Sequence, residues 1–480
     1  MSSHWYPTQE GFGRTDALAR IATTVFGDHL DPANYRMGNG PVSYPYMWNI
    51  WKFDWVQYNA SVSQPMARNV GEAVGTGATY HLVDRYGRPV PPAERYRTSI
   101  PIENLQRIES TIQTLEPPPW PEDLLGRIDT ARVARGRQLF NEHCAGCHGP
   151  HVASTQTTRA VSPARGPSDP LWEIRWKSID DIGTDRNAAV NFMKNRVDLT
   201  RTGLDAGEVQ RLLREPLRQQ KARQLELASS LEREIAGKTG EGRPNYLAED
   251  LAYAKKAVSG TEDEIARLDQ IDLRSVSIGE GLTIVGTLIR NRYYEDRRYS
   301  VEARQCFDGF DTLDLPQAVP GYKPRPLKGV WATPPFLHNG SIPTVYALLS
   351  PREERPATFY VGTHEYNPRD LGYVTARPSA RAGGFVLDTA LPGNSNAGHE
   401  FRKGYVPFDE SKPPETQYQG GVIGPELTRD ERYAIIEYLK VGPDEPPTPA
   451  GRVPPDCFAL LNDRPASTPA SARVSEERPR

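Results

Sequence analysis

The sequence predicts a mainly α protein with long ordered loops and one inserted helical hairpin. Three observations carry that expectation. Apolar residues recur at helical spacing in several separate stretches, among them Ile102, Leu105, Ile108 and Ile112. Pro (44) and Gly (40) together exceed ordinary usage in a chain of 480 residues, which favours long connections. Two long charged stretches with Leu and Ala at helical spacing, 208–238 and 246–273, flank a turn at 239–244, the pattern of an antiparallel hairpin.

Taken in order, residues 14–26 read as a helix, Arg14-Thr-Asp-Ala-Leu-Ala-Arg-Ile-Ala-Thr-Thr-Val-Phe26. Residues 31–70 show little periodicity but carry Tyr44, Tyr46, Trp48, Trp51, Phe53, Trp55 and Tyr58, which serve either as core bulk or as lining beside a cofactor. An amphipathic helix within 98–117 stops before Pro117-Pro-Pro-Trp-Pro121, which cannot continue a helix, so a domain boundary is expected there. Residues 1–117 then form an aromatic-rich, mostly irregular region packed on a second domain, 118–445, with the hairpin 204–272 projecting from it as an insertion. A helix over 276–289 returns to the core. The stretch from Thr428 to Leu439 opens with Thr428 as N-cap and Glu431 three positions on, a capping box. Beyond it the Pro-, Ser- and Arg-rich tail, 446–480, lacks the apolar content to order itself.

The chemistry concentrates at Cys144-Ala-Gly-Cys-His148. C-x-x-C-H is the attachment pattern for c-type haem: two thiols one helical turn apart add to the two vinyl groups, and the following His becomes the proximal ligand of the iron. A zinc knuckle would need a second Cys pair nearby, and there is none. A thioredoxin-like dithiol would follow a strand, whereas here a helical stretch precedes it. That stretch, 134–143, sets Gly136 and Phe140 on one face. It resembles the first helix of a class I cytochrome c, and 428–439 resembles the C-terminal helix that crosses it. The remaining cysteines, Cys306 and Cys457, can pair in an oxidising compartment, although the sequence does not show that they meet.

Further blocks resemble the di-haem cytochrome c peroxidase-like superfamily, in the branch that includes the rubber oxygenases. They are 11–18, 53–59, 65–72, Leu327-Lys-Gly-Val-Trp-Ala-Thr-Pro-Pro-Phe-Leu-His-Asn-Gly-Ser341 and Leu391-Pro-Gly-Asn-Ser-Asn-Ala-Gly-His-Glu-Phe401. One departure stands out. The resemblance implies two haems, with an N-terminal haem meeting peroxide or dioxygen, but only one C-x-x-C-H occurs here. The expectation is a chain that starts where that first domain ends, the domain being lost or separate.

A second axial ligand has three candidates. His399 lies in a loop of small residues that allows close approach to a flat cofactor, and the resemblance points to the same loop. Met193 lies in a helical context without the usual Pro, and His338 beside a turn. His399 is the first choice.

A net charge of −3 argues against a nucleic-acid partner. No apolar run approaches the ~18 residues that span a bilayer. Met1-Ser-Ser-His-Trp does not read as a signal peptide, yet haem c is installed outside the cytoplasm, so an exported or periplasmic protein whose leader is absent is expected. The leading function is single-electron transfer to or from a redox partner protein through one covalent haem c. The alternative is a peroxidase- or oxygenase-type oxidoreductase, and the coordination of the iron discriminates between them.

Overall fold

The computed structural model describes residues 6–462 apart from 54, 63, 150, 153–171, 238–245, 310–318, 364, 377–383, 410–411, 414–415 and 447–452. The loop expected to run from the pentapeptide to Pro170, the hairpin turn at 239–244 and the tail beyond 462 therefore lie outside the described residues, wholly or for the most part. The protein is mainly α, and its strands among the described residues are short and joined only in pairs.

Two apolar cores divide the helices. The first gathers Ile21, Phe26, Met66, Val70, Ile284 and Phe307, all buried. These come from the helices Ala17–Ala22, Pro65–Gly75, Ile278–Asp296 and Val301–Asp308, with a π-helical turn, Thr23–Asp28, continuing the first. Ser277 and Glu280 cap the long helix reciprocally, which fixes where it starts. The N-terminal region is thus less irregular than expected. It shares its core with residues 278–308, which lie within the stretch 118–445 expected to form the second domain. The reason is packing: the apolar face of Pro65–Gly75 meets the other three helices, and Ile278–Asp296 is buried around most of its circumference.

The first core also holds the disulfide Cys306–Cys457. It pins 453–462, where Phe458, Leu460 and Leu461 pack against the same cluster. This part of the expected tail is ordered, because a cross-link and three apolar side chains supply what its composition lacks.

The second core contains the attachment helix, Thr130–His143, and the closing helix, Arg429–Val441. Both expected features of this pair are present. Thr428 and Glu431 form the capping box. Gly136 lies where a Cβ would come within 2.0 Å of the Ala434 carbonyl oxygen, so the helices cross backbone to backbone. Phe140 meets Tyr438 edge-on at 5.3 Å, one turn along.

The hairpin consists of Ala206–Gly237 and Tyr246–Leu268. Ion pairs Arg214–Asp269, Lys221–Glu262 and Lys255–Glu232 step along it in antiparallel register, over a small core of Ala228, Leu231, Leu247 and Ala254. It does not simply project. The buried Asp250 takes Lys177 at 2.8 Å and Arg175 at 3.1 Å, and the second arm helix lies against the pentapeptide. Thin apolar stripes predict a solvated arm, but this one is held down both by buried charge pairs and by Val209, Leu213, Leu217 and Leu268, which enter the first core at its base.

Candidate haem site

The attachment helix ends at Cys144, whose amide donates to Phe140 O at 2.8 Å. A second helical turn, Ala145–His148, follows at once, with the amides of Cys147 and His148 both donating to Cys144 O. That turn sets Cys144, Cys147 and His148 on the wall of one cavity of about 640 Å³. Burial, with Cys147 beside it, pushes the Cys144 thiol up to about 12. A thiol held neutral is a poor exchange nucleophile, which speaks against a dithiol redox role for the pair.

His148 Nδ1 donates to the carbonyl oxygen of Arg325 at 2.7 Å. The carbonyl can only accept, so the bond fixes the tautomer and leaves Nε2 as the lone-pair nitrogen. Burial lowers the pKa of this imidazole, and the carbonyl contact opposes the shift only in part. The ring is neutral at neutral pH, the state a metal ligand requires.

His399 lies opposite. The two ring centroids are 6.1 Å apart with 59° between the planes. Two metal–imidazole bonds of about 2 Å each, placed end to end, fill most of that distance. The rest is the two ring half-widths, so the pair is spaced for one metal ion between them. His399 is half-buried by surface area because it lines the cavity. Even so, burial, then the neighbouring His148 and Arg355, push its pKa down to about 3. Its Nδ1 is buried with no hydrogen-bond partner from another residue among the described residues.

The loop that carries His399 is shaped by backbone contacts. Gly398 and His399 both have positive φ, +75° and +49°. A Cβ on Gly398 would lie 2.3 Å from Gly183 C and Ile182 O, and Gly421 packs on the same spot. The glycine therefore serves approach of chain to chain, not of chain to cofactor as its sequence context suggested. The His399 amide then donates to Ile182 O at 2.9 Å and the Glu400 amide to Gly421 O at 2.8 Å.

The other two candidates lie elsewhere. His338 is in the cavity wall, but its ring stacks on Tyr322 at 3.9 Å, beside Tyr58, and not across from His148. Burial pushes it down to about 3. Met193 is half-buried on the helix Asn187–Lys194 and is not among the residues lining the cavity. Two quoted blocks meet here: Asn339 Nδ2 donates to Gly393 O and Ser395 O.

The rest of the cavity suits a large flat cofactor. Leu327, Val330, Leu348, Ile435 and Leu439 supply an apolar lining, and Lys177, Asp181 and Lys323 stand in the wall as charged groups. Sequence reasoning missed Arg325 and the Lys177–Asp250 pair. Arg325 had one available sign, its place between two prolines just ahead of a quoted block. Lys177 and Asp250 are 73 positions apart and had none.

Comparison with known proteins agrees with this geometry. Residues 133–214 match the cytochrome c family, and residues 321–360 match the RoxA-like, cytochrome c-like family. The chain is 35% identical over 447 residues to a Sinorhizobium fredii (strain NBRC 101917 / NGR234) protein named uncharacterized protein y4iJ, covering 90% of this chain and 60% of that one. It is 24% identical over 346 residues to uncharacterized protein y4iM of the same organism, covering 72% and 52%. The chain thus spans little more than half the length of these relatives. The matches support a c-type cytochrome related to the RoxA-like group, with covalently bound haem c and the capacity for electron transfer.

Proposed function

We propose that this chain moves single electrons to and from a redox partner protein through one six-coordinate haem c, tethered by Cys144 and Cys147 and ligated by His148 and His399. The observation that carries the reading is the pair of enclosed imidazoles 6.1 Å apart across the cavity. Bound haem c supplies an iron that changes its charge by one. The chain's own residues do the rest. Cys144 and Cys147, free thiols on the cavity wall, would hold the porphyrin edge through thioethers. The Arg325 carbonyl orients His148 and makes its Nε2 more basic. His399, facing His148 across the cavity, would take the second position and deny it to peroxide or dioxygen. Leu327, Ile435 and Leu439 keep water from the faces, which limits the solvent reorganisation that a change of charge would demand.

A peroxidase- or oxygenase-type activity needs an iron position that a small oxidant can reach, and an enclosed second imidazole favours transfer over turnover. Export follows from the cofactor chemistry. Among the described residues no helix is long and apolar enough to cross a membrane.

The test is spectroscopic. Ferric wild-type protein is expected to be low-spin and slow to bind cyanide. His399→Gly should become high-spin, and added imidazole should restore the original spectrum, whereas Met193→Leu should change nothing. A low-spin His399→Gly protein, with Met193→Leu converted instead, would replace this reading by a His/Met cytochrome.

A further inference from the structure

Arg355 is buried, 5% exposed, at the end of a short 3₁₀ turn and far in sequence from the attachment motif. It makes five hydrogen bonds, all to main-chain carbonyls. Nε donates to Ser350 O at 3.1 Å, and one Nη2 bond goes to Leu348 O at 3.1 Å. The other three reach the loop opposite the pentapeptide: Nη1 to Asn396 O at 2.6 Å and Gly398 O at 2.8 Å, Nη2 to His399 O at 3.0 Å. A guanidinium has five N–H donors in a rigid fork. Here all five are committed, two to the body of the domain and three to the histidine loop.

Several features make this more than a loop staple. The loop holds a non-glycine residue, His399, at φ +49°, a conformation that persists only where its surroundings over-determine it. The loop carbonyls that receive Arg355 belong to His399 itself, to Gly398 before it and to Asn396. The loop's own carboxylate, Glu400, is turned to the Gly398 amide at 3.2 Å and forms no hydrogen bond to Arg355. Leu348, whose carbonyl anchors the fork on the other side, itself lines the cavity. The fork therefore ties the cavity wall to the loop that carries the imidazole.

We propose that Arg355 is the positioning residue for the distal imidazole: it holds the His399 loop in its strained conformation over the iron position and keeps the sixth site closed to exogenous ligands. The proposal rests on His399 being the distal ligand. It predicts two levels of failure, because Lys keeps the charge but has three donors on one nitrogen and cannot reproduce a planar fork, whereas Met keeps only the bulk.

The experiment uses haem-loaded protein matured in the periplasm, comparing wild type, Arg355→Lys, Arg355→Met and His399→Gly at matched haem content and matched far-UV circular dichroism. Cyanide binding to the ferric form should be roughly ten- to hundredfold faster in Arg355→Met, the loosening expected when charge-assisted hydrogen bonds to the loop are lost. Arg355→Lys should fall between Met and wild type. Amide exchange of His399 and Glu400 should speed up in the same order, while amides of the attachment helix stay as in wild type. Low-spin wild-type rates in both Arg355 variants, with His399→Gly open and fast, would overturn the role of Arg355 and leave the ligand assignment standing. A His399→Gly protein that stays closed would overturn the ligand assignment itself, and this proposal with it. If Arg355→Met does not accumulate folded, Arg355→Lys decides alone: unchanged cyanide rates and exchange would overturn the proposal.

Discussion

Among the single residues of the cavity, three of its four lining histidines, His148, His338 and His399, are told apart by what each ring touches. His148 is fixed by a carbonyl, His399 has a buried nitrogen without a partner from another described residue, and His338 stacks on Tyr322. The last difference gives a prediction that does not depend on haem. Burial holds His338 neutral, with its folded pKa at about 3 against an ordinary value near 6.5. Between those values the unfolded chain binds a proton that the folded one refuses, so stability is complete above about pH 6.5 and falls as the pH drops towards 3. The slope for one such group is ~1.4 kcal/mol per pH unit. Urea unfolding at pH 7 and pH 5 should show His338→Phe losing about 2 kcal/mol less than wild type between the two. Equal losses would mean that the ring is solvated.

For whole elements, the helix crossing is the feature most open to a clean test. Alanine is the better helix former by about 1 kcal/mol, so Gly136→Ala would stabilise an isolated helix. In the folded protein its Cβ would meet the Ala434 carbonyl oxygen at 2.0 Å and Tyr438 Cβ at 2.9 Å, contacts that only a shift of a whole helix relieves. We expect a net loss of roughly 1–3 kcal/mol, read as a lower denaturant midpoint with unchanged slope; a gain would put the crossing elsewhere. This crossing was legible in the sequence, as were the capping box, the pentapeptide and the paired arm helices. Each is written in local spacing, and local spacing is what a helix reads. The parts that were not legible depend on loops meeting loops. The conformation of 391–401 is set by Gly183 and Gly421, and its carbonyls by Arg355 and Asn339. No periodicity in either partner announces those contacts. The pairing of Cys306 with Cys457, 151 positions apart, was likewise open until both were seen at the edge of one core.

Across the whole molecule, the hairpin joins regions that are remote in sequence and brings charge next to the cofactor cavity. Lys177 and Asp250 are both 4% exposed and bonded at 2.8 Å, and Arg175 reaches Asp250 at 3.1 Å and Glu234 at 3.3 Å. Lys177 also lines the cavity, and its ammonium lies 5.6 Å from the Tyr253 ring centroid on the arm. Removing one member of such a pair leaves a buried charge short of its nearest partner, which costs more than removing both. Asp250→Leu should therefore lose about 3–5 kcal/mol, loosen the arm from the Ala145–His148 turn and lower the haem content of protein matured in the periplasm. Lys177→Met in the same chain should recover part of both, because it removes the cation that Asp250→Leu deprives of its nearest carboxylate, while Arg175 keeps Glu234. The double-mutant cycle isolates the coupling: strong coupling with restored haem content makes the arm a wall of the cofactor site held by charge. Additive losses, or an Asp250→Leu protein with full haem and wild-type stability, would return the arm to the status of a projecting insertion.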